Sequence, residues 1–381
     1  MRDTRTGSWG AGVAAGVIAL AALASPAAAQ GRAGGPPAKA PSALRAVPAE
    51  TTAAKARNAN WATGRTPWGH PDLEGVWTSD DMRSVPLQRA PNQGTRQSLT
   101  PEEFARRAGG DEGSRDRAVN QETFLRNEWG VRTFGYTSLV VEPADGRLPA
   151  MTPAGLARRA DRDQGTFGAG IFNGFEDFTL YDRCITRGIL GSILPVLYGN
   201  GFRLIQTPDS VVISYEMVHD TRVIPLDGRP HVHQNIRQLL GDSRGYWDGE
   251  TLVVETTNLT DRTSIGANGN GTRHSAQMTL TERFTRIDPD MIDYTIRVED
   301  PVTYVAPFTL RLTVTRQPDY QLYEYSCHEG NGAVSYALAG ERAYEKEVEA
   351  AKAKGLPIPS RDRGSPYAPP VEGLEPVIVR Q

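Results

Sequence analysis

The chain has 381 residues, with 42 Lys and Arg against 45 Asp and Glu, so its formal net charge is only -3. That balance argues against a nucleic-acid-binding protein, because neutralising phosphates needs a concentrated basic surface. Gly (39 residues) and Pro (27 residues) are abundant, which indicates many turns and short elements. The length allows one large or two small domains with a substantial core.

The first 29 residues have the pattern of a secretory signal peptide. Arg2 and Arg5 precede an uncharged apolar run over 11–24, and an Ala-x-Ala close ends at Ala29. The run is too short to span a bilayer as a helix. We expect cleavage before Gln30 and a periplasmic or secreted product. No later segment has 18 consecutive apolar residues, so no membrane span is expected.

The remaining chain divides by composition. Residues 30–60 contain no aromatic side chain and are rich in Gly, Pro, Ala, Lys and Thr, which cannot bury enough apolar surface to fold. We therefore predict a flexible linker over 30–60, a single β-rich domain over 61–340, and a C-terminal helix with a Pro-rich tail over 341–381. Early in the domain, Gly75–Val76–Trp77–Thr78 is expected to form a short strand after a turn.

A helix start follows at Thr100. Thr100 can serve as N-cap, Pro101 occupies the first helical position, and Glu103 can complete a capping box. We predict a helix over 101–108 that ends at Gly109–Gly110. A short strand over 138–142 and a short helix after Pro153 are expected next.

From Phe178 onward the hydrophobic period changes to two, which is typical of strands. Four successive hairpins are predicted, over 202–218, 245–257, 279–299 and 308–325. The second is centred on Asp248–Gly249, a strong short-range hairpin signal. A meander most simply avoids open edges by closing on itself. We predict a mainly β fold: an antiparallel up-and-down meander, closed into a lipocalin-like barrel of about eight strands, with short peripheral helices. A twisted open sheet or a sandwich is the alternative.

Cys184 and Cys327 are the only cysteines of the sequence, 143 positions apart. In an oxidising compartment we expect them to form a disulfide, with two buried free thiols as the alternative. A bridge would bring 181–183 (Tyr-Asp-Arg) beside Glu324, His328 and Glu329. Acids, a base and an Arg would then converge on one patch.

Polar side chains are densest between His219 and Trp247, in loops of the kind that commonly carry function. We predict His231 or His219 as a general base, oriented by Asp220 or Asp242. His328 with Glu329 would supply a second acid. The residues expected to bind a small-molecule substrate are Arg222, Arg229, Arg244, Tyr215, Glu216 and Trp247.

His231 and His233 have a spacing that places both rings on one face of an extended segment, and Glu216, His219 or Asp220 could complete a metal set. Two ligands at this spacing are a weak signal, so we expect neither a metal nor another cofactor. The block 241–243 (Gly-Asp-Ser) superficially resembles the nucleophile block of GDSL esterases. Its central position among hairpins favours a simple turn over a Ser243 nucleophile.

Four motifs resemble those of a large family of exported, largely uncharacterised bacterial proteins. They are 71–77 (PDLEGVW), 224–231 (IPLDGRPH), 241–254 (GDSRGYWDGETLVV) and 325–331 (YSCHEGN). The resemblance covers most of 68–340 and implies export and the handling of plant or soil organic matter. It implies no particular reaction, so the fold prediction rests on the hairpins.

The sequence favours a secreted or periplasmic acid/base enzyme, a hydrolase or lyase, that cleaves a glycosidic or aryl ether C–O bond of a small plant-derived compound. The basis is two clusters of His, acid and Arg at strand ends, without a nucleotide, flavin or haem motif. The alternative is a lipocalin-like carrier for an apolar or aromatic small molecule. If Val211, Ile213, Tyr215 and Met217 face inward, the interior is carrier-like; if Glu216 and its neighbours do, it is catalytic.

Overall fold

The computed structural model describes residues 45–47, 62–120, 130–162, 172–196, 199–269, 271–316 and 320–360. All of these residues belong to one compact unit. The predicted signal peptide, 1–29, lies outside the described residues. Within the described part of the chain, no helix is long and apolar enough to cross a membrane.

Most described strands and helices are short, but two helices have nearly six turns and two strands have nine or ten residues. The strands are β1 Arg45–Val47, β2 Gly75–Thr78, β3 Arg132–Phe134, β4 Val140–Glu142, β5 Gly201–Gln206, β6 Ser210–Tyr215, β7 Thr221–Pro225, β8 Asp242–Asp248, β9 Thr251–Thr257, β10 Ser264–Ile265, β11 Thr272–Arg273, β12 Thr279–Asp288, β13 Met291–Glu299 and β14 Phe308–Thr315. The helices are α1 Pro101–Asn120, α2 Pro153–Arg162, α3 Gly188–Ile193 and α4 Ala333–Ala353.

Nine strands form one antiparallel sheet in the order β7-β6-β5-β2-β14-β13-β12-β9-β8, and β4 pairs with β14 beside it. The end strands β7 and β8 meet through side chains. Arg222 Nη2 of β7 donates to Ser243 Oγ of β8 at 3.0 Å. A Cβ on Gly245 would lie 2.9 Å from Ile224 Cγ2, so the missing side chain lets the two strands approach. The sheet is a nearly closed barrel, and the predicted mainly β fold is confirmed with nine strands rather than about eight.

The sheet contains two meanders, β5 to β7 and β8 to β14, joined by β2. Three predicted hairpins are present as β5–β6, β8–β9 and β12–β13, and the turn at Asp248–Gly249 has the left-handed Gly (φ 58°) expected there. The fourth prediction is half wrong: β14 forms, but 320–325 forms no strand. Its place beside β14 is taken by β2, through the single register pair Thr315–Thr78.

The barrel interior is a packed core. Val211, Ile213 and Tyr215 of β6 are at most 4% exposed, and the next residue of that set, Met217, is buried as well. The largest fully buried side chains of the sheet are Trp77, Tyr294, Phe202, Phe284 and Phe308. A barrel of this size has an interior that side chains can fill. The apolar face of β6 therefore faces inward, into a core that is already occupied by side chains.

Helix boundaries differ from the prediction at two places. The capping box of α1 is present, since Thr100 N donates to Glu103 Oε2 at 2.8 Å and Glu103 N to Thr100 Oγ1 at 3.3 Å. The helix nevertheless continues through Gly109–Gly110 to Asn120, because a Gly ends a helix only where it turns left-handed. Helix α4 begins at Ala333, so the predicted boundary at 340/341 falls inside it.

The predicted flexible linker, 30–60, contains one short strand. Strand β1 pairs in parallel with β3, with Ala46 opposite Thr133. Composition gave no signal for it, because three residues gain their partner from a distant part of the chain. The rest of the linker lies outside the described residues.

Candidate functional site

His231 and Asp242 form a hydrogen-bonded pair on the outside of the barrel. His231 Nδ1 lies 2.8 Å from Asp242 Oδ2, and Val232 N donates to the same oxygen at 3.2 Å. A carboxylate only accepts, so Nδ1 carries the proton and the neutral ring keeps its lone pair on Nε2. The side chain of His231 is 27% exposed and that of Asp242 is 9% exposed. The pair therefore presents a base to solvent while its carboxylate stays sheltered.

Arg244 supports this carboxylate from the other side. Its Nη1 lies 2.8 Å from Asp242 Oδ1 and donates to Ser243 O at 2.8 Å, and its Nε donates to Pro230 O at 3.2 Å. Strand β8 places Asp242 and Arg244 on the same outer face, because alternate residues of a strand share a face. Arg244 therefore orients Asp242 and the loop that carries His231; its predicted contact with substrate stays a prediction.

The loop 230–241 is fastened to the end of β9 by Asn258. Its Nδ2 donates to His233 O and Ile236 O, both at 2.9 Å. Asn258 itself has φ 58°, a left-handed conformation that Asn tolerates better than most residues. The backbone of Gln238 pairs with Asn258 O and Thr260 N. These bonds hold the His231 loop against the barrel.

Arg222 lies inside the barrel, paired with Glu282 of β12. Its Nη1 and Nη2 donate to the two carboxylate oxygens at 3.0 and 2.5 Å, and Nη2 also donates to Ser243 Oγ and Thr256 Oγ1. Tyr294 OH donates to Glu282 Oε1 at 2.6 Å. Burial lowers the pKa of Arg222, but the attraction of Glu282 and the neighbouring groups outweighs it, so this pKa lies above its ordinary value. Burial raises the pKa of Tyr294. The side chains of Arg222 and Glu282 are 2% and 0% exposed and Ser243 is buried, so in the described structure this network is not accessible to a substrate.

Tyr215 belongs to the same interior network, since Arg222 Nη1 reaches its OH at 3.4 Å. Burial raises the pKa of this hydroxyl. Arg229 lies on an exposed loop and pairs with Asp227. Trp247 is near the other end of β8, where its ring centroid is 5.4 Å from that of His70. The structure therefore distributes these predicted substrate-binding residues over separate places rather than around His231.

The disulfide between Cys184 and Cys327 is present, with an S–S distance of 2.02 Å. It confirms the predicted pairing. It fastens the segment 320–332, which runs from the end of the barrel to α4, beside the loop before α3. Asn331 Nδ2 adds a hydrogen bond to Asp182 O at 3.1 Å.

We call the hollow at this bridge the disulfide cleft, and it has two lobes. The polar lobe, about 230 Å³, is lined by His219, Glu324, His328 and Glu329 together with the bridge. The aromatic lobe, about 620 Å³, is lined by Phe178, Tyr181 and Tyr325, with Asp182 and Glu329 at its polar part. Of the predicted convergence of 181–183 with Glu324, His328 and Glu329, the cleft contains Tyr181 and Asp182 in one lobe and Glu324 and His328 in the other, with Glu329 in both. Arg183 does not line either lobe, since its guanidinium lies 5.0 Å from the centroid of the Phe175 ring. The described contacts join none of these groups to His231.

Glu216 and Asp220 flank His219 at the β6–β7 turn. Glu216 accepts hydrogen bonds from Tyr320 OH and, at 2.7 Å, from Tyr323 N, so it fastens the segment 320–323. Asp220 Oδ2 accepts from Thr186 Oγ1 at 2.5 Å. Burial raises the pKa of both carboxyls. Both acids hold neighbouring segments in place, and Asp220 has no described contact with either predicted base.

Glu282 and His274 are among the buried polar groups that sequence reasoning missed. Glu282 occupies an inward position between Leu280 and Phe284, and an acid at an apolar position of the alternation was the available signal. His274 is 1% exposed, with Nε2 2.5 Å from Thr263 Oγ1 and Nδ1 2.9 Å from Ser275 O. Burial lowers its pKa. Both ring nitrogens are engaged, so His274 is a structural residue.

The structure offers no ligand set for a metal ion at the His231–His233 segment, over the residues that it describes. His231 is bonded to Asp242, and His233 Nδ1 accepts from Asn235 N at 3.3 Å. Over the described residues, no group of three or more His, Cys, Asp or Glu side chains is spaced to hold a metal ion.

Comparisons of the chain with protein-family models, curated proteins and solved structures give no significant match. The argument about function therefore rests on the residues and their geometry.

Proposed function

We propose that the protein is a periplasmic or secreted acid/base enzyme, a hydrolase or lyase, that cleaves a C–O bond in a small plant-derived compound. The bond is glycosidic or an aryl ether. His231 is the general base and Asp242 orients it. The observation that carries the proposal is the 2.8 Å contact between His231 Nδ1 and Asp242 Oδ2, which leaves Nε2 as the proton acceptor.

One histidine can serve both proton transfers of such a reaction. In a lyase, Nε2 takes a proton from the carbon next to a carbonyl group, a C=C bond forms, and the C–O bond breaks. The imidazolium then returns that proton to the departing oxygen. In a hydrolase, Nε2 takes the proton from water as its oxygen attacks, and returns it to the same leaving group. The Asp242 carboxylate stabilises the imidazolium in both cases.

The rival class, a carrier that binds its ligand inside the barrel, has one observation on its side and one against it. The apolar face of β6 does face inward, as a carrier requires. The inward side chains are nearly all fully buried and pack against each other, which leaves the described interior without the open lumen that a lipocalin uses. We therefore place the chemistry outside the barrel, at its loops.

The test is a screen of purified wild-type protein against aryl glycosides and β-aryl ether dimers, with product detection by chromatography. On a substrate that turns over, His231→Gln should lower kcat/KM by about 100- to 10,000-fold, the usual share of acid/base catalysis. His233→Gln is the matched control in the same loop, and it should stay within about twofold of wild type because its ring has no carboxylate partner. Thermal unfolding of both variants should match that of wild type.

A His231→Gln variant with wild-type stability and more than half of the wild-type turnover would remove His231 from the mechanism. Absence of turnover across both panels, together with ligand binding, would replace the enzyme by the carrier. Asp242→Asn provides a second check, because an amide cannot stabilise the imidazolium and should also slow turnover.

A further inference from the structure

We propose that the disulfide cleft is a binding site for a neutral small molecule in which an aromatic ring is joined to a polyhydroxylated part, as in an aryl glycoside. The two lobes differ in chemistry, and each matches one half of such a ligand. The site does not depend on His231 acting as a base, since no described contact links it to the pair His231–Asp242.

The polar lobe offers hydrogen-bonding groups that the protein itself leaves unused. The side chains of His219, Glu324, His328 and Glu329 make no hydrogen bond or ion pair with another described residue. A carboxylate accepts from hydroxyl groups, and a neutral imidazole both donates and accepts. These four residues therefore match a ligand with several hydroxyl groups, each of which is both donor and acceptor.

The aromatic lobe is lined by one half-buried ring, that of Tyr325, and by two nearly buried ones, those of Phe178 and Tyr181. Phe178 is 3% exposed and stacks on Phe172 with ring centroids 4.1 Å apart, so its position is fixed. The backbone at Gly330 and the small side chains of Ala333 and Ala337 leave space opposite. The lobe volume of about 620 Å³ lies within the range of small-molecule sites, and aromatic walls favour an aromatic or pyranose ring.

The frame of the cleft is built before any ligand arrives. Cys327 of the disulfide lines both lobes, and Glu216 holds the segment 320–323 near it in the chain. In the β6–β7 turn, Val218 and His219 both have positive φ, 64° and 58°. A β-branched residue pays for that conformation in backbone strain, and such strain persists where the surroundings hold a residue in place. Here the strained turn aims His219 at the polar lobe.

The carboxylates of Glu324 and Glu329 would also attract a cationic ligand, so the binding test includes one. Affinities are measured by calorimetry for phenyl β-D-glucoside, phenol, glucose and benzylamine, on wild type and on His231→Gln. We expect the glucoside to bind at least about tenfold more tightly than phenol, glucose or benzylamine, because only it reaches both lobes. The same affinity in His231→Gln would separate this site from the proposed catalytic base.

Variants of each lobe provide the second part of the test. Tyr325→Ala and Glu329→Gln should each weaken glucoside binding by about tenfold. The matched controls are Tyr246→Ala, on the outer face of β8, and Glu349→Gln, exposed on α4; both should bind like wild type. The proposal is overturned if the glucoside binds no more tightly than phenol, if benzylamine binds best, or if the lobe variants behave like their controls.

Discussion

Charged side chains occur both inside the barrel and in the disulfide cleft. Those inside are paired with each other, whereas those in the cleft have no partner among the described residues. Inside, Arg222 binds both carboxylate oxygens of Glu282 through Nη1 and Nη2, and Tyr294 and Ser243 add further hydrogen bonds; of the Arg222 nitrogens, Nε alone has no partner in the described structure. In the cleft, His219 and His328 stand beside Glu324 and Glu329 without a partner among the described residues. Burying an unpaired charge costs several kcal/mol, whereas an exposed one is stabilised by water.

The difference shows which charges serve the fold and which stay available for a ligand. The interior network is held by the ladders of β7, β8 and β12, so sheet formation alone assembles it. The cleft is held by one covalent bridge and by Glu216, at the end of the barrel. Perturbing the two regions separately should therefore change different properties of the protein.

The largest effect is expected from removing the bridge. The variant Cys184→Ser/Cys327→Ser should lose about 5 kcal/mol of unfolding free energy in the chain-entropy model, because the closed loop spans 143 positions. Denaturant unfolding of the variant and of wild type measures the loss. A variant that is equally stable and binds cleft ligands equally well would contradict the role given to the bridge.

The interior pair should give the next largest effect. Arg222→Met leaves Glu282 buried without its partner, and we expect a loss of about 3–5 kcal/mol in unfolding free energy. Adding Glu282→Met should recover most of it, since two apolar side chains replace the pair. The surface pair Arg283–Asp248, with side chains 43% and 61% exposed, supplies the control: Arg283→Met should cost less than about 1 kcal/mol. Equal losses at both pairs would remove the distinction between interior and surface.

Asp80 combines features of both regions: it is buried like the interior pair, but only one of its carboxylate oxygens accepts a hydrogen bond. Asn200 Nδ2 donates to Oδ1 at 2.6 Å, while Oδ2 has no partner in the described structure. Burial raises the pKa of this carboxyl from 3.8 to about 6, against the opposing attraction of Arg83. The folded protein therefore holds the proton more tightly than the unfolded chain does.

The sign of the resulting pH dependence follows from this difference. The contribution of Asp80 to stability is fully present below about pH 4 and falls by about 3 kcal/mol as the pH rises to about 6. Asp80→Asn should remove that fall, measured as the difference between variant and wild type in urea unfolding from pH 4 to 7. The exposed Asp145→Asn is the control and should leave the profile unchanged. An unchanged slope in Asp80→Asn would show that other groups cause it.

Local signals explain which parts of the fold were predictable. The turns at Asp248–Gly249 and at 288–290 determine the hairpins on both sides of them, so their strands were predicted to within a few residues. Strand β7 was not predicted, because it contains Pro225 and follows the polar pair His219–Asp220, a pattern that is typical of loops. The segment 320–325 alternates like a strand, but Glu216 binds its backbone at Tyr323 instead of a sheet edge.

The residues of the candidate site could be named from the sequence, but which of them pair with each other could not. The sequence offered Asp220 or Asp242 as the orienting acid, and only the path of the loop 230–241 brings Asp242 to His231. Asp220 bonds to Thr186 instead. Arg222 looked like a substrate clamp because its partner, Glu282, is 60 positions away in a strand with an otherwise ordinary pattern.

Strand β2 is the first strand of the barrel along the chain, and its neighbours in the sheet are β5 and β14, the last strand. The two meanders are thus joined by pairing the first strand of the sheet along the chain with the last one. A chain synthesised from its N-terminus can form the hairpins one after another and pair β2 with β5, whereas β2 can pair with β14 only once Thr315 is present. We therefore expect the two meanders to join late in folding, and a chain truncated before β14 to expose the edges of β2 and β13 that β14 covers.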